Sequence, residues 1–293
     1  MKEQYLVCIL CHNLFFLETL LKNMPEQDER ISFCIANDSR VIDLQKQIKH
    51  VIKKYNFANK FYFVSNDKVN EFCKRDLKLS DDAKNFIDIN TMCMNQNLPY
   101  YFMFGSEKKF NKLLMLDDDM LITGDLMQIF ELKKPAYLKT GFSTTGKGME
   151  TDDLMQEFLE IAKVSYSKWI THNIISCIRL YFLENAEHKK SYKDCMKKYF
   201  ESKCLKGYFE YWKESGKGKT KAFFQDQFLE NCFAWRINCQ NDDMKKYARC
   251  FYILKGLPKN KEKCVDKILT HNGCGQGKME FLKILGEEGI ISV

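Results

Sequence analysis
The sequence predicts an α/β fold: a mostly parallel, Rossmann-like sheet flanked by helices, in a single domain over residues 1–293. Two observations carry this. In the first half, short apolar runs alternate with helical patterns across short connections, the signature of parallel strands joined by helical crossovers. Apolar residues make up 45% of the 293 while Gly and Pro are scarce, which supplies a core and excludes collagen-like, low-complexity and broadly disordered chains.

The first apolar run, Tyr5 to Leu10, reads as a buried strand that stops at Cys11-His12-Asn13. The second, Ile31 to Ala36, stops at Asn37-Asp38. From Val41 to Tyr55 the apolar residues Ile42, Leu44, Ile48, Val51 and Ile52 fall on one helical face. Phe61 to Val64 is a third strand, a helix is expected around Ile89 to Phe104, and Lys112 to Leu116 is a fourth strand. The second half is less regular. Phe158 to Val164 looks helical, and Ile170 to Tyr181 fits a strand or a buried helix. Lys190 to Tyr208 fits a basic, aromatic amphipathic helix. Glu214 to Thr220 reads as a loop before a helix over Ala222 to Ala234. A strand-like run, Lys267 to Thr270, leads to His271, a glycine-rich turn and a short closing helix. Parallel sheets bind ligands at the carboxyl ends of their strands. That places a site at His12-Asn13, Asn37-Asp38 and Asp117 to Asp119.

Composition narrows the partners. The net charge of +7 with signs well mixed suits an anionic ligand and not a nucleic-acid-binding tail. Thirteen cysteines in a long chain without a signal peptide point to reduced thiols and a cytoplasmic location. Cys8-Ile9-Leu10-Cys11 is a lone CxxC with no second pair for zinc, so Cys8 is expected to pack as a small apolar group. No apolar run approaches the ~20 residues that cross a bilayer. Gly216 to Thr220 (GKGKT) is not a phosphate loop, because Lys213 stands where that motif requires glycine.

The chemistry concentrates where Lys112-Leu113-Leu114-Met115-Leu116 ends abruptly in Asp117-Asp118-Asp119. Adjacent carboxylates at the end of a buried strand repel one another and are costly to desolvate. A divalent cation removes that cost, and Mn²⁺ or Mg²⁺ takes a few carboxylates together with phosphate oxygens of a substrate. Alternation along extended backbone puts Asp117 and Asp119 on one side, for the metal, and Asp118 on the other, for a sugar or ribose hydroxyl. A solvated acidic turn, with Asp125 capping the next helix, is the bland alternative. The apolar flanks on both sides weigh against it. A haloacid-dehalogenase-like phosphatase site would stand near the N-terminus and would not have Leu121 after Met120.

These residues resemble a known family. Leu113 to Leu121 with Gly124-Asp125-Leu126 is similar to the "YLDxD…GDL" segment of the retaining glycosyltransferases of glycogenin and the bacterial lipopolysaccharide galactosyltransferases, which have the GT-A fold. Asn13 matches an asparagine that ends the family's first strand. Phe224 to Asn231 resembles "DQDxLN", and His271 to Lys278 resembles the closing "HxxGxxKPW". The resemblance implies that Asp117, Asp119 and His271 hold Mn²⁺ or Mg²⁺ and that Lys278 contacts the diphosphate. It places Asp226 and Gln227 by the transferred sugar. His12, Asn13, Asn37, Asp38, Asp118 and Asn173 complete the donor site, Asn173 by correspondence with an Asn-Ala-Gly segment. Residues 1–130 would be the nucleotide-binding half and 131–293 the acceptor side. The implied donor is a UDP-sugar, the acceptor a glycan, a lipid-linked saccharide or a protein. The chain departs from the family in lacking the Pro-Trp and in carrying one extra residue between His271 and Lys278. It also has Phe228 at the third position of the Asp-Gln-Asp motif, and around Asn95 no counterpart of a basic residue that the family often carries. Two other functions fit the sequence: a catalytically altered binding protein on the same fold, and a metal-dependent phosphohydrolase.

Overall fold
The computed structural model describes residues 3–37, 42–89, 94–139, 148–171, 174–207, 225–239, 243–250, 262, 265–271 and 278–293. The four expected strands are present. β1 (Tyr5–Cys11), β2 (Ile31–Asn37), β3 (Lys60–Ser65) and β4 (Lys112–Asp117) run parallel. The ambiguous run after residue 170 is a strand, β7 (Ile174–Phe182), antiparallel to β4. β6 (Ala136–Lys139) closes that edge, giving the order β3-β2-β1-β4-β7-β6. The mostly parallel α/β sheet with helical flanks is therefore as the sequence predicts.

Every residue of β1 is buried, as a strand covered on both faces requires. Its side chains alternate between two cores. Leu6, Cys8 and Leu10 join Leu113 and Met115 on one face. There they meet α3 (Asn66–Asp76), α4 (Asp81–Ile89), α5 (Met94–Phe104), α7 (Asp153–Ala162) and α9 (Ala186–Glu201). Tyr5, Val7, Ile9 and Cys11 join Leu114 and Leu116 on the other, under α1 (Leu14–Asn23) and α2 (Ile42–Tyr55). Cys8 and Cys11 thus face opposite sides of the sheet and cannot share a metal ion, and Cys8 is the small core residue expected. No disulfide joins the cysteines of the described residues to one another.

Polar caps set the helix starts. Asn13 Oδ1 accepts from Phe15 N–H at the head of α1, and Asp152 and Asn185 do the same for α7 and α9. These caps start α7 and α9 several residues before the apolar periodicity becomes visible. The helix expected around Ile89 to Phe104 is α5 alone, since Ile89 closes the separate α4. The helix expected over Ala222 to Ala234 spans Gln225–Arg236. The GKGKT stretch lies outside the described residues.

A second sheet was not foreseen. β5 (Met120–Ile122), β8 (Ala248–Cys250) and β9 (Leu269–His271) pair in the order β5-β9-β8. Each has three residues, too few to show an alternation. The closing helix Lys278–Glu287 seats Phe281, Leu282 and Leu285 on Leu121 in a third, smaller core. No helix of the described residues is long and apolar enough to cross a membrane.

Candidate metal and donor site
The site lies where the sheet changes direction of growth. From β1 the chain adds β2 and β3 on one side, then returns to place β4 on the other. Such a switch point opens a crevice at the carboxyl ends of the flanking strands. Here those ends are Cys11 and Asp117, with Leu10 opposite Asp117 and Cys11 opposite Asn37.

The three aspartates divide as alternation predicts. Asp118 turns back to β1, where its Oδ2 accepts the backbone N–H of both His12 and Asn13 at 2.6 Å. The side chain expected at a sugar or ribose hydroxyl therefore ties the acidic turn to the end of β1. Burial pushes its carboxyl above the usual range, against the pull of the two N–H donors. Asp117 and Asp119 face the other way and meet His271. One ligand atom from each of the three lies within 4.8 Å of the others.

The second sheet delivers His271. β9 runs antiparallel to β5 with His271 opposite Met120, so the ring arrives beside Asp119. Its Nε2 lies 3.3 Å from Asp119 Oδ1. The turn behind is clamped by buried Gln27, which donates to Gly124 O (3.1 Å) and accepts from Leu126 N–H (2.9 Å). Gly124 passes so close to Ile268 that a Cβ there would stand 3.1 Å from Ile268 Cγ1. Asp125 accepts from Met127 N–H, the capping role considered for it.

The electrostatics are those of a buried carboxylate, Asp119, faced by an imidazole and an ammonium. Burial favours the neutral form of Asp119, but His271 and Lys278 outweigh it and hold the carboxyl well below the usual carboxylate range. Burial likewise opposes charge on His271, yet Asp119 wins and raises its pKa well above the ordinary value. Lys278, first residue of the closing helix, donates to Asp119 Oδ2. Asp119 Oδ1 is buried and has no hydrogen-bond partner among the described residues. An ion with ligand bonds of about 2.1 Å spaces its ligands about 3–4 Å apart. The two carboxylates and the imidazole, within 4.8 Å of one another, need draw in by less than about 2 Å to reach that spacing, and the unsatisfied oxygen is an atom such an ion would take.

The remaining expected residues are spread more widely. His12 and Asn13 are exposed at the mouth. Asn37 ends β2, level with Cys11. Asp226 stands in the first turn of the Gln225–Arg236 helix, next to the half-buried Gln227. Asp38 and Asn173 lie outside the described residues. Phe228 is a core residue, stacked on Phe158 at 4.6 Å, which explains the apolar side chain at that motif position. Two groups were not foreseen. Arg179 on β7 and Glu230 on the same helix form a fully buried ion pair at 3.4 Å, and Cys250 stands behind His271. No sequence signal marks either, because each partner lies far away in the chain.

No family model matches the chain, and no curated protein matches it in sequence. Its fold does match solved structures. Mouse xyloside xylosyltransferase 1 in its apo form superposes with a TM-score of 0.52 at 10% identity, over 93% of this chain and 98% of that one. The bifunctional glycosyltransferase WbbM, also apo, gives 0.53 at 8% identity over 97% of this chain. This chain spans 50% of WbbM. At such identities the likeness is one of fold, and that fold is the GT-A architecture.

Proposed function
We propose that the protein is a metal-dependent glycosyltransferase that moves a hexose from a UDP-sugar to a glycan, lipid-linked or protein acceptor with retention of configuration. One observation carries the reading: Asp117, Asp119 and His271 converge at the switch point of a GT-A fold with Lys278 against Asp119. A bare acidic cluster would support only a divalent cation and phosphate. The fold around this one supports a nucleotide-sugar.

Asp117, Asp119 and His271 would hold Mn²⁺ or Mg²⁺, which supplies Lewis acidity to the leaving diphosphate. Lys278 exchanges part of its contact with Asp119 for a phosphate oxygen and adds a second positive charge where negative charge grows. His12, Asn13 and Asn37 stand at the strand ends that would receive the base and ribose, and Asp38 is assigned to the same pocket by the family resemblance. Asp118 serves that pocket by fixing the acidic turn to β1. Asp226, Gln227 and Asn173 orient the donor sugar. Residues 1–130 form the nucleotide side and 131–293 the acceptor side. The absence of disulfides among the described cysteines favours a cytoplasmic setting.

The test is UDP release from a panel of UDP-sugars with Mn²⁺. The wild type releases UDP, chelation stops it, and Asp119→Asn slows it by about 100-fold, the scale of several kcal/mol of lost charge stabilisation. An Asp119→Asn variant with full activity would sink the assignment. Release of inorganic phosphate would point to a phosphohydrolase, and binding of UDP without turnover to a non-catalytic protein.

A further inference from the structure
His271 turns Nε2 toward the acidic pair and Nδ1 away from it. That second nitrogen lies 3.1 Å from Cys250 Sγ. The contact is built into the small sheet. β8 and β9 are parallel neighbours and Cys250 is the register partner of His271, so the two side chains rise from the same face. The His271 side chain is only 6% exposed, which leaves the ring between a carboxylate on one edge and a thiol on the other. An imidazole that ligates through Nε2 carries its hydrogen on Nδ1, and that hydrogen needs an acceptor. Among the described residues the sulfur of Cys250 is the acceptor at hand. Flipping the ring would take the N–H off the sulfur and turn a carbon toward Asp119.

We propose that Cys250 is a positioning residue of the metal site. Its sulfur accepts Nδ1–H of His271 and fixes the tautomer and ring orientation that present Nε2 to a cation. The proposal rests on the metal site of the preceding reading. A thiol is a weak acceptor, so this contact steers the ring more than it enriches it. Outer groups that hold a ligating histidine typically change metal affinity 10–100-fold when removed.

The experiment is a titration of the full chain with Mn²⁺ alone, followed by the electron paramagnetic resonance signal of the free ion. Wild type, Cys250→Ala, Cys250→Ser, His271→Ala and the double variant Cys250→Ala/His271→Ala are compared. Melting of each without metal checks the fold. Cys250→Ala is expected to bind Mn²⁺ about 10–100-fold more weakly, with metal-free melting close to wild type. Serine, whose hydroxyl also accepts, restores part of the loss. In the His271→Ala background Cys250→Ala has no further effect, since the ring it steers is gone. Wild-type affinity in Cys250→Ala overturns the proposal, and so does a loss that persists in the His271→Ala background. A wild type that binds no Mn²⁺ overturns the metal site itself, and is told apart from the other outcomes because it needs no variant.

Discussion
The aspartates that end β4 are chemically alike and do different work. Asp118 spends one oxygen on two backbone N–H groups of β1, while Asp119 keeps a buried oxygen unbonded beside His271. The charge state of His271 follows from that neighbour. Asp119 raises its pKa well above the ordinary value, so a proton competes with a cation for Nε2 through the neutral range. A raised pKa keeps the proton on to higher pH, and ligation requires it off. Mn²⁺ affinity should therefore climb with pH, by up to about tenfold per unit below that pKa. Calorimetric titrations at a few values between pH 6 and 8.5 would show it, and a flat profile would mean that His271 is not a ligand. The acidic triplet was legible because it breaks an apolar run. His271 was legible only through its place in a family pattern. Cys250 was not legible, since nothing in residues 248–250 signals a partner 21 residues on.

At the scale of elements, the helix that carries Asp226 and Gln227 is tied to the sheet by charge as well as by packing. Arg179 and Glu230 are both fully buried. Asn95 O and Oδ1 accept from the Arg179 guanidinium, and Tyr192 donates to Glu230. Removing one partner of such a pair strands the other charge in the core. Arg179→Met should cost about 3–5 kcal/mol in urea unfolding. Arg179→Met with Glu230→Leu should recover most of that, because two apolar side chains leave no unpaired charge. If the double variant were no better than the single, the pair would not be acting through charge. Long, strongly periodic elements were legible: β1, β2, β4 and α2 sit where the pattern puts them. Of the short strands, β9 falls in the strand-like run that ends at His271, while β5 and β8 were not legible, because their stability comes from pairing across long stretches of chain and not from local pattern. The pairing of Arg179 with Glu230 was hidden for the same reason.

At the scale of the molecule, the two cores and the sheet need no ligand, while the cluster at the switch point holds like charges in check. A ligand set that binds only the folded state stabilises it by about 2.7 kcal/mol at a concentration 100 times its dissociation constant. For a chain of this size that is about 5 °C of melting temperature. Mn²⁺ with UDP should therefore raise the melting point by roughly that amount, and excess chelator should return it. No shift with saturating Mn²⁺ and UDP would argue against the donor site. The α/β class and the placing of the acidic run at a strand's carboxyl end were legible here, because both follow from the alternation of strands and helices, whereas the switch point depends on the spatial order of the strands. The clamp of Gln27 on the Gly124 turn and the closure by β9 were not, being set by tertiary contact alone.

That closure has a consequence in time. The acidic turn leaves the ribosome about 150 residues before the histidine that faces it. At about 5–20 residues per second this is roughly 8–30 seconds of synthesis. During that interval β6 and β7 are still to be added to the sheet, and the carboxylates lack His271 and Lys278. A nascent chain, or one cut ahead of β9, would hold the acidic turn without the two side chains that face it. The last elements described therefore complete the cluster, which closes only once β9 and the helix Lys278–Glu287 are in place.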